Sequence, residues 1–501
     1  MLIQCFNFLK KKISVNLTLV VLGFYFVCQK WAFHFTFKTH FYDLFFYNHS
    51  IWNIANTLTP WLAPFKTSFF EDHFYYWLYL IAPIYKLFSP SPIILFIIQS
   101  ICLCLTAYPI LKLAKDKFGV KGEWITLGLL FFYLTFRRAI FDAIHGEVFM
   151  MVLISWFIYF MEKMKYKHAF FLSIIFIFTK ENAIIFLIPM SILFWIKNKK
   201  GYSVSLLCMS LLSFYLIFNF FYDSSESYGF LTSRYNLGTS FSESIFMILK
   251  NPVIFFENVF EWSKIRYLIL VFLPLGGLSI FSKYIILAIP LLLQNLMSSD
   301  YGMYNIVTHY SFPLIPVIFM SGLLAYEKYK SFIINNKSVF QYLKTCSLVF
   351  VVLNIGAIII FDFRHFIITK DILKTRNILN QIANSDDYHV ITTPNFIQFF
   401  SYTNNVELFR VPQRNESADY VLIANQMKLD RLALDASEYL IFYLNDLKNF
   451  KYNTYRWFYG EREYTNYSDI KYKEMKDKWL ALDQYTPIID NSEILILKLN
   501  N

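Results

Sequence analysis

Residues 33–76 read FHFTFKTHFYDLFFYNHSIWNIANTLTPWLAPFKTSFFEDHFYY, and the rest of the chain is organised around this stretch. It follows a long apolar run at 13–33 and precedes a series of others, yet it carries Asp43, His49 and the triplet Glu71-Asp72-His73. Polar side chains at this density are excluded from the hydrocarbon of a bilayer. We therefore predict that residues 33–76 form the first extracytoplasmic loop of a membrane protein and take part in any chemistry it performs.

The composition of the whole chain supports a membrane protein. Of its 501 residues, 56% are hydrophobic, 21% are aromatic and only 16% are charged, and the mean hydropathy is positive. Soluble domains contain about 25% charged residues. All six cysteines fall in the N-terminal tail or inside apolar runs, so the sequence predicts no extracytoplasmic disulfide and no thiolate zinc site. It indicates no cofactor and no metal, although it does not exclude a divalent ion.

The distribution of lysine predicts the orientation of the chain. Lys10, Lys11 and Lys12 precede the first apolar run, and every second turn between later runs is rich in lysine. The positive-inside rule places these turns and the N-terminus in the cytoplasm. Residues 74–88 are too short to span and predict an interfacial helix. The pattern predicts a mainly α membrane helix bundle with about eleven spans, at 13–33, 93–111, 124–136, 148–161, 168–179, 183–196, 204–221, 267–281, 284–296, 310–326 and 345–361.

The C-terminal part has a different character. Residues 362–501 hold 17 Lys+Arg against 19 Asp+Glu, which leaves 29 against 16 for the transmembrane domain, residues 1–361. The basic surplus therefore belongs to membrane loops and does not indicate nucleic acid binding. We predict a small extracytoplasmic α/β domain at 362–501, with helices near 370–383 and 395–402 and strands at 389–392, 418–424 and 494–499.

With this orientation, ionisable residues at the outer ends of the spans gather on one face, whereas the cytoplasmic turns offer mainly lysine. Only the outer face can assemble an acid, a base and a cation. The candidate site residues are Asp43, Glu71, Asp72 and His73 in the first loop, His145 and Glu147 in the second, Lys180 and Glu181 in the third, Arg234 and Tyr235 in the fourth, and His309 and Tyr310 before a later span.

Structural explanations compete with functional ones at several of these positions. Desolvation near the membrane raises the pKa of a carboxylate towards that of a usable base, but a helix cap explains Asp43 equally well. The triplet at 71–73 fits an N-terminal helix cap somewhat better than a catalytic role. Gly146 between His145 and Glu147 allows close approach of the backbone, and a solvated turn explains that segment nearly as well.

The cationic candidate residues suggest that the site binds a phosphate group. Burying Lys180 and Glu181 inside one continuous helix costs about 2.5–3.5 kcal/mol per charge, which favours a hairpin or a functional pair. A phosphate with a carboxylate supplies the partners that both need. Arg234 suits bidentate phosphate binding, with a plain loop as the simpler interpretation. His309 and Tyr310 are also explained as interfacial anchors.

Several motifs, taken in order, resemble bacterial membrane proteins of domain-of-unknown-function family 2079, which is similar to the GT-C superfamily of membrane glycosyltransferases. They are Tyr42-Asp43-Leu44, Trp52-Asn53, Asp72-His73-Phe74, Ala82-Pro83-Ile84-Tyr85, His145-Gly146-Glu147, Lys180-Glu181, Arg234-Tyr235 with Leu237-Gly238, and His309-Tyr310. The sequence departs from the GT-C pattern in having one aspartate at 43 without an adjacent acid, and Val148 follows Glu147 where relatives often carry a small residue.

The resemblance implies an outer-face active site beneath a polyprenyl-phosphate-linked sugar. It implies that Asp43 acts as the base on the acceptor hydroxyl, that Lys180 and Arg234 hold the lipid phosphate, and that His309 touches the donor or the acceptor. We thus expect an inverting glycosyltransferase of the bacterial inner membrane that uses an extracytoplasmic acceptor. The alternative is a non-catalytic envelope protein that binds or transports lipid or acts as a scaffold. The internal repeats typical of transporters are not detectable.

Overall fold

The computed structural model describes residues 14–36, 41–71, 73–88, 90–216, 235, 250–361, 366, 368, 370–383, 390–392, 401–403, 406–408, 420–424, 477, 480–482, 485–490 and 494–499. Contacts divide the chain into two compact units. The first unit comprises residues 1–28, 71–77 and 97–356, and the second comprises residues 29–70, 78–96 and 357–501.

Helices dominate the described chain. In order they are α1 (Val15–Phe35), α2 (Phe41–Thr57), α3 (Trp77–Leu87), α4 (Pro92–Phe132), α5 (Leu134–Phe141), α6 (Gly146–Glu162), α7 (Tyr166–Phe176), α8 (Ile184–Ile196), α9 (Lys200–Leu216), α10 (Pro252–Val259), α11 (Trp262–Phe272), α12 (Ile289–Met297), α13 (Leu314–Lys328), α14 (Lys330–Asn335), α15 (Lys337–Phe361) and α16 (Lys370–Ala383).

In the first unit, α6 packs against α7 and α13, and α8 packs against α9. Small polar side chains join α8 to α9, since the Ser191 hydroxyl donates to the Ser203 carbonyl at 2.9 Å and Ser210 donates to Ile184 at 3.0 Å. Ser100 of α4 likewise donates to the Gly23 carbonyl of α1 at 2.6 Å. Small residues with hydroxyls allow apolar helices to approach closely and still pair their polar groups.

Three described segments are long and apolar enough to cross a membrane, namely Val15–Phe35, Pro92–Phe132 and His309–Lys328. Shorter apolar helices lie at Trp77–Leu87, Tyr166–Phe176, Glu181–Ile196 and Lys283–Met297. Pro92–Phe132 contains a break at Gly119, where φ is +67°. This break falls inside the lysine-rich turn predicted between the spans at 93–111 and 124–136.

The helices depart from the predicted spans in two places. The helix predicted to continue to 136 ends at Phe132, because Tyr133 is extended, and α5 begins at Leu134. The prediction of a continuous span at 267–281 is wrong, whereas 284–296 lies within the helical run Lys283–Met297, whose first part is 3-10. Helix α11 ends at Phe272, and 3-10 turns follow at Leu273–Leu275, Leu278–Phe281 and Lys283–Ala288. Gly276 and Gly277, with φ of +57° and +77°, turn the backbone away from a helical path.

The second unit combines α2, α3 and α16 with two sheets. A small antiparallel pair joins β1 (Trp61–Leu62) to β2 (Thr67–Ser68). The larger sheet has the order β4-β3-β5-β7-β6, in which the contacts among β3, β4 and β5 are parallel and those of β7 are antiparallel. Its strands are β3 (Val390–Thr392), β4 (Val406–Leu408), β5 (Tyr420–Ala424), β6 (Tyr485–Asp490) and β7 (Ile494–Leu499).

The helix at 370–383 and the three predicted strands of the C-terminal part are confirmed as local elements, with ends that shift by up to two residues. Strands β4 and β6 were not predicted. Strand β4 has only three residues, and β6 contains Pro487 beside an irregular register. Proline is tolerated at a sheet edge, which is where β6 lies. The predicted helix at 395–402 falls mostly outside the described residues.

Candidate functional site

Asp142, His145 and His309 meet in the first unit and form what we call the Asp-His-His cluster. Asp142 is the extended residue that ends α5, and His145 is the residue before α6. His309 opens the short 3-10 turn that precedes α13. The Asp142 carboxylate accepts from the His309 backbone N–H at 3.1 Å and lies 3.3 Å from His309 Nδ1. Its other oxygen is 3.6 Å from His145 Nε2.

The two imidazoles of the cluster are stacked. Their ring centroids are 3.6 Å apart, and the ring planes differ by 16°. The side-chain amide of the buried Gln99 holds the segment that carries Asp142, because it donates to the carbonyls of Asp142, at 2.9 Å, and of Ala139. A helix end is thereby fixed by a side chain from α4, so the carboxylate does not depend on α5 alone for its position.

Lys180 and Glu147 form a second polar centre in the same unit. Lys180 Nζ donates to Glu147 Oε1 at 2.7 Å, and the two side chains are only 5% and 1% exposed. The ammonium also lies 5.8 Å from the ring centroid of Tyr75 and 5.6 Å from that of Tyr310. A buried cation between two aromatic faces and a carboxylate is held in place by favourable electrostatics on several sides.

Gly146 makes the approach of Lys180 to Glu147 feasible. A Cβ atom at this position would lie 2.5 Å from the Thr179 carbonyl oxygen, 2.9 Å from the Tyr75 ring and 3.3 Å from the Lys180 Cβ. Any other residue would push the 179–180 backbone away. The close backbone approach predicted for Gly146 is therefore present, and the reason is packing against Thr179 and Lys180.

Glu181 points to a different partner from its neighbour. Its carboxylate lies 3.1 Å from His73 Nδ1 and accepts from the Phe74 backbone N–H at 3.2 Å. After the end of α7, Lys180 is extended and Glu181–Ala183 form a short 3-10 turn, so Lys180 and Glu181 do not interrupt one long helix. The predicted hairpin is the arrangement observed.

Burial and neighbouring charges shift the pKa values of Asp142 and Lys180. Burial opposes ionisation of Asp142, but hydrogen bonds and charges of His145 and His309 outweigh it and hold the pKa of this carboxyl well below its ordinary value. Burial likewise opposes the charge of Lys180, and the carboxylates of Glu147 and Glu181 outweigh it, so the pKa of Lys180 is raised. Both residues are charged at neutral pH.

The remaining predicted residues are distributed as follows. Asp43 lies in the first turn of α2, within the second unit, and its side chain is partly buried. Glu71 is exposed at the end of a 3-10 turn. Tyr235 donates through its hydroxyl to the Met303 sulfur at 3.9 Å. Asp72 and Arg234 lie outside the described residues.

The structure thus brings seven predicted residues together, six in two pairs and one cluster and Tyr310 against the Lys180 ammonium. It adds Asp142, which the sequence reasoning missed. A signal was present, since Asp142 precedes His145 by three residues in the run Asp142-Ala143-Ile144-His145. The contribution of Gln99 had no such signal, because it donates from the middle of an apolar helix to backbone carbonyls.

Solved structures with a similar fold are known. The fold is similar to that of ArnT from Cupriavidus metallidurans bound to undecaprenyl phosphate, with 12% sequence identity, a TM-score of 0.50, and coverage of 95% of this chain and 97% of that one. The apo state of ArnT gives 12% identity, a TM-score of 0.48, and coverage of 97% and 98%. The fold and the apolar helices therefore define a membrane protein with an ArnT-like fold.

The family follows from the sequence itself. Residues 33–457 match the family described as predicted membrane protein DUF2079, and the chain belongs to that family. The sequence matches none of the curated proteins. The predicted family is confirmed.

Proposed function

We propose that this protein is a membrane glycosyltransferase that moves a sugar from a polyprenyl-phosphate donor to an extracytoplasmic acceptor of the cell envelope. The observation that carries the proposal is the likeness of the fold to ArnT, bound in its structure to undecaprenyl phosphate, over 95% of this chain. Fold alone does not define chemistry. The polar groups of the chain therefore have to supply the remaining support.

Lys180 supports a phosphate leaving group. An ammonium has three N–H donors, and among the described residues Lys180 Nζ donates to Glu147 Oε1. Two donors then remain for phosphate oxygens. A buried cation stabilises the negative charge that develops on a leaving phosphate far more than one in water does. In the proposal, Lys180 binds this phosphate together with Arg234.

Asp43 is the proposed base. An inverting transfer needs one carboxylate to accept the proton of the acceptor hydroxyl while the phosphate leaves from the opposite face of the sugar. Asp43 is a partly buried carboxylate near the start of α2, close after α1. His309, with Tyr310, is the proposed contact for the donor or the acceptor.

The orientation is part of the same proposal. The distribution of lysine supports a cytoplasmic N-terminus, a bundle of several spans and an extracytoplasmic C-terminal α/β domain at 362–501. Cysteine accessibility labelling tests it directly. A residue at position 43 must react with impermeant reagents from the outside, and one at position 199 must not. Labelling of both positions from the same side would contradict the proposed site.

The activity is tested by profiling the glycans of the cell envelope in a deletion strain that carries plasmid copies of the gene. We expect Asp43→Asn to give the profile of the deletion strain at normal protein levels. Asp116→Asn serves as the matched control, since Asp116 forms a half-exposed pair with Lys163 at 2.9 Å. It should restore the wild-type profile. An unchanged profile with Asp43→Asn would refute the proposed role of this residue.

A non-catalytic lipid-binding, transport or scaffold protein is the competing function, because buried polar groups also line lipid sites. The two are distinguished by comparing the deletion strain with the wild type. A profile that is identical in both, together with tight binding of polyprenyl phosphate to the purified protein, supports the non-catalytic function and rejects the transferase.

A further inference from the structure

The Asp-His-His cluster has the composition of a transition-metal site. Two imidazoles and one carboxylate are the protein ligands of many zinc sites that keep a fourth position open for water or substrate. Asp142 and His145 lie three residues apart in the connection between α5 and α6, and His309 comes from the turn before α13. The third ligand is therefore supplied by a segment more than 160 residues away in the chain.

The distances fit a small divalent ion. With bonds of about 2.0–2.1 Å to zinc, ligand atoms in a tetrahedral site lie about 3.3 Å apart. His309 Nδ1 and His145 Nε2 lie 3.3 Å and 3.6 Å from the two Asp142 oxygens, and one ligand atom from each residue lies within 4.8 Å of the others. Because the imidazole planes are nearly parallel, binding of a shared ion requires the rings to reorient so that both lone pairs point at it.

Two buried carboxylates face the imidazoles of the cluster. Those of Asp142 and Glu147 both interact electrostatically with His145 and His309, and Glu147 is also paired with the Lys180 ammonium. An ion bound by the cluster would therefore change the electrostatic environment of the Lys180–Glu147 pair.

We infer that Asp142, His145 and His309 bind one divalent transition-metal ion, with zinc the best match to their nitrogen and oxygen atoms, and leave an open coordination position. This inference deepens the proposed function, on which its role in catalysis rests. If bound by these residues, the ion would supply positive charge that adds to that of Lys180 in stabilising the phosphate of the donor. Magnesium and calcium, which prefer oxygen ligands, should bind far more weakly.

The test measures metal binding rather than activity. Full-length protein in detergent is stripped with a chelator and titrated with Zn²⁺, and with Co²⁺ as a spectroscopic probe. We expect one equivalent to bind and the visible bands of Co²⁺ to appear with the intensity of a low-symmetry site. Asp142→Asn and His309→Gln should each weaken binding at least about tenfold, since loss of even a supporting group typically costs tenfold or more.

Two controls separate ligand loss from misfolding and adventitious binding. His168→Gln removes an exposed histidine of α7 and should leave binding unchanged. Asp142→Asn retains a carbonyl oxygen that can accept from the His309 backbone, so the fold should persist, which thermal unfolding verifies. Equal Zn²⁺ affinity in the wild type and the Asp142 and His309 variants would overturn the inference. So would stoichiometric binding of Mg²⁺ in preference to Zn²⁺. If Zn²⁺ binding fails this test while the Asp43 variant alters the glycan profile, the proposed transferase function stands and only the proposed metal site is rejected.

Discussion

The buried pair of Lys180 and Glu147 makes a quantitative prediction about stability. Lys180→Met removes the cation and leaves a carboxylate that is only 1% exposed. Breaking a buried pair in this way costs about 3–5 kcal/mol, because the remaining charge is neither hydrated nor paired. The matched control is Lys163→Met, which breaks a 2.9 Å pair with Asp116 whose side chains are 38% and 32% exposed. A pair of that kind contributes at most about 1 kcal/mol.

The double variant completes the experiment. Lys180→Met combined with Glu147→Gln removes both charges, so we expect it to recover most of the stability that Lys180→Met loses, giving strong coupling in a double-mutant cycle. Unfolding free energies of the detergent-solubilised protein, titrated with denaturant, supply the four values. Losses that simply add, or a loss for Lys180→Met no larger than for Lys163→Met, would refute the assignment of a buried pair. If Lys180 also binds phosphate, the double variant will be stable and yet fail to restore the glycan profile.

Two further predictions concern single positions. Gly146→Ala should destabilise the protein by about 1–3 kcal/mol, as overpacking does, whereas Gly128→Ala, whose Cβ meets nothing within 4 Å, should not; equal unfolding free energies would contradict the close packing at Thr179. Burial lowers the pKa of His49 to about 4, although its bond to the Ser401 carbonyl raises it. As the pH falls, His49 therefore takes up a proton in the unfolded chain before it does so in the folded one. Its contribution to the free energy of unfolding is complete above about pH 6.5 and falls by about 1.4 kcal/mol per pH unit towards pH 4. His49→Gln should flatten that slope and the exposed His168→Gln should not; an unchanged slope in His49→Gln would reject this origin.

The sequence predicted the local elements that a strong pattern marks. Apolar runs between lysine-rich turns gave α1, α6, α8 and α13 within a few residues, because hydrocarbon-facing helices need long apolar segments. The 3-10 turns within residues 267–288 were not predicted, since an apolar composition does not distinguish an α-helix from successive 3-10 turns. Pro274 and the pair Gly276-Gly277 were the only local signs of a break.

The candidate site was predictable in part. Ionisable residues at the ends of apolar runs identified His145, Glu147, Lys180 and His309, because charge is costly in a membrane wherever it has no purpose or partner. Which residue pairs with which was not predictable. Lys180 pairs with Glu147 rather than with its neighbour Glu181, and that choice depends on the packing around Gly146, which sequence spacing does not encode.

His49 has a consequence for how the protein is made. Its Nε2 accepts from the Ala63 backbone N–H at 3.3 Å, which leaves Nδ1 as the donor to the carbonyl of Ser401 at 2.9 Å. One ring thus links a helix translated early to a residue that the ribosome adds some 350 positions later. The segment that carries Asp43 cannot reach its final hydrogen bonding before the C-terminal region has emerged and folded. Nascent chains that stall before this point should therefore hold an incomplete first loop, however well their membrane helices have inserted.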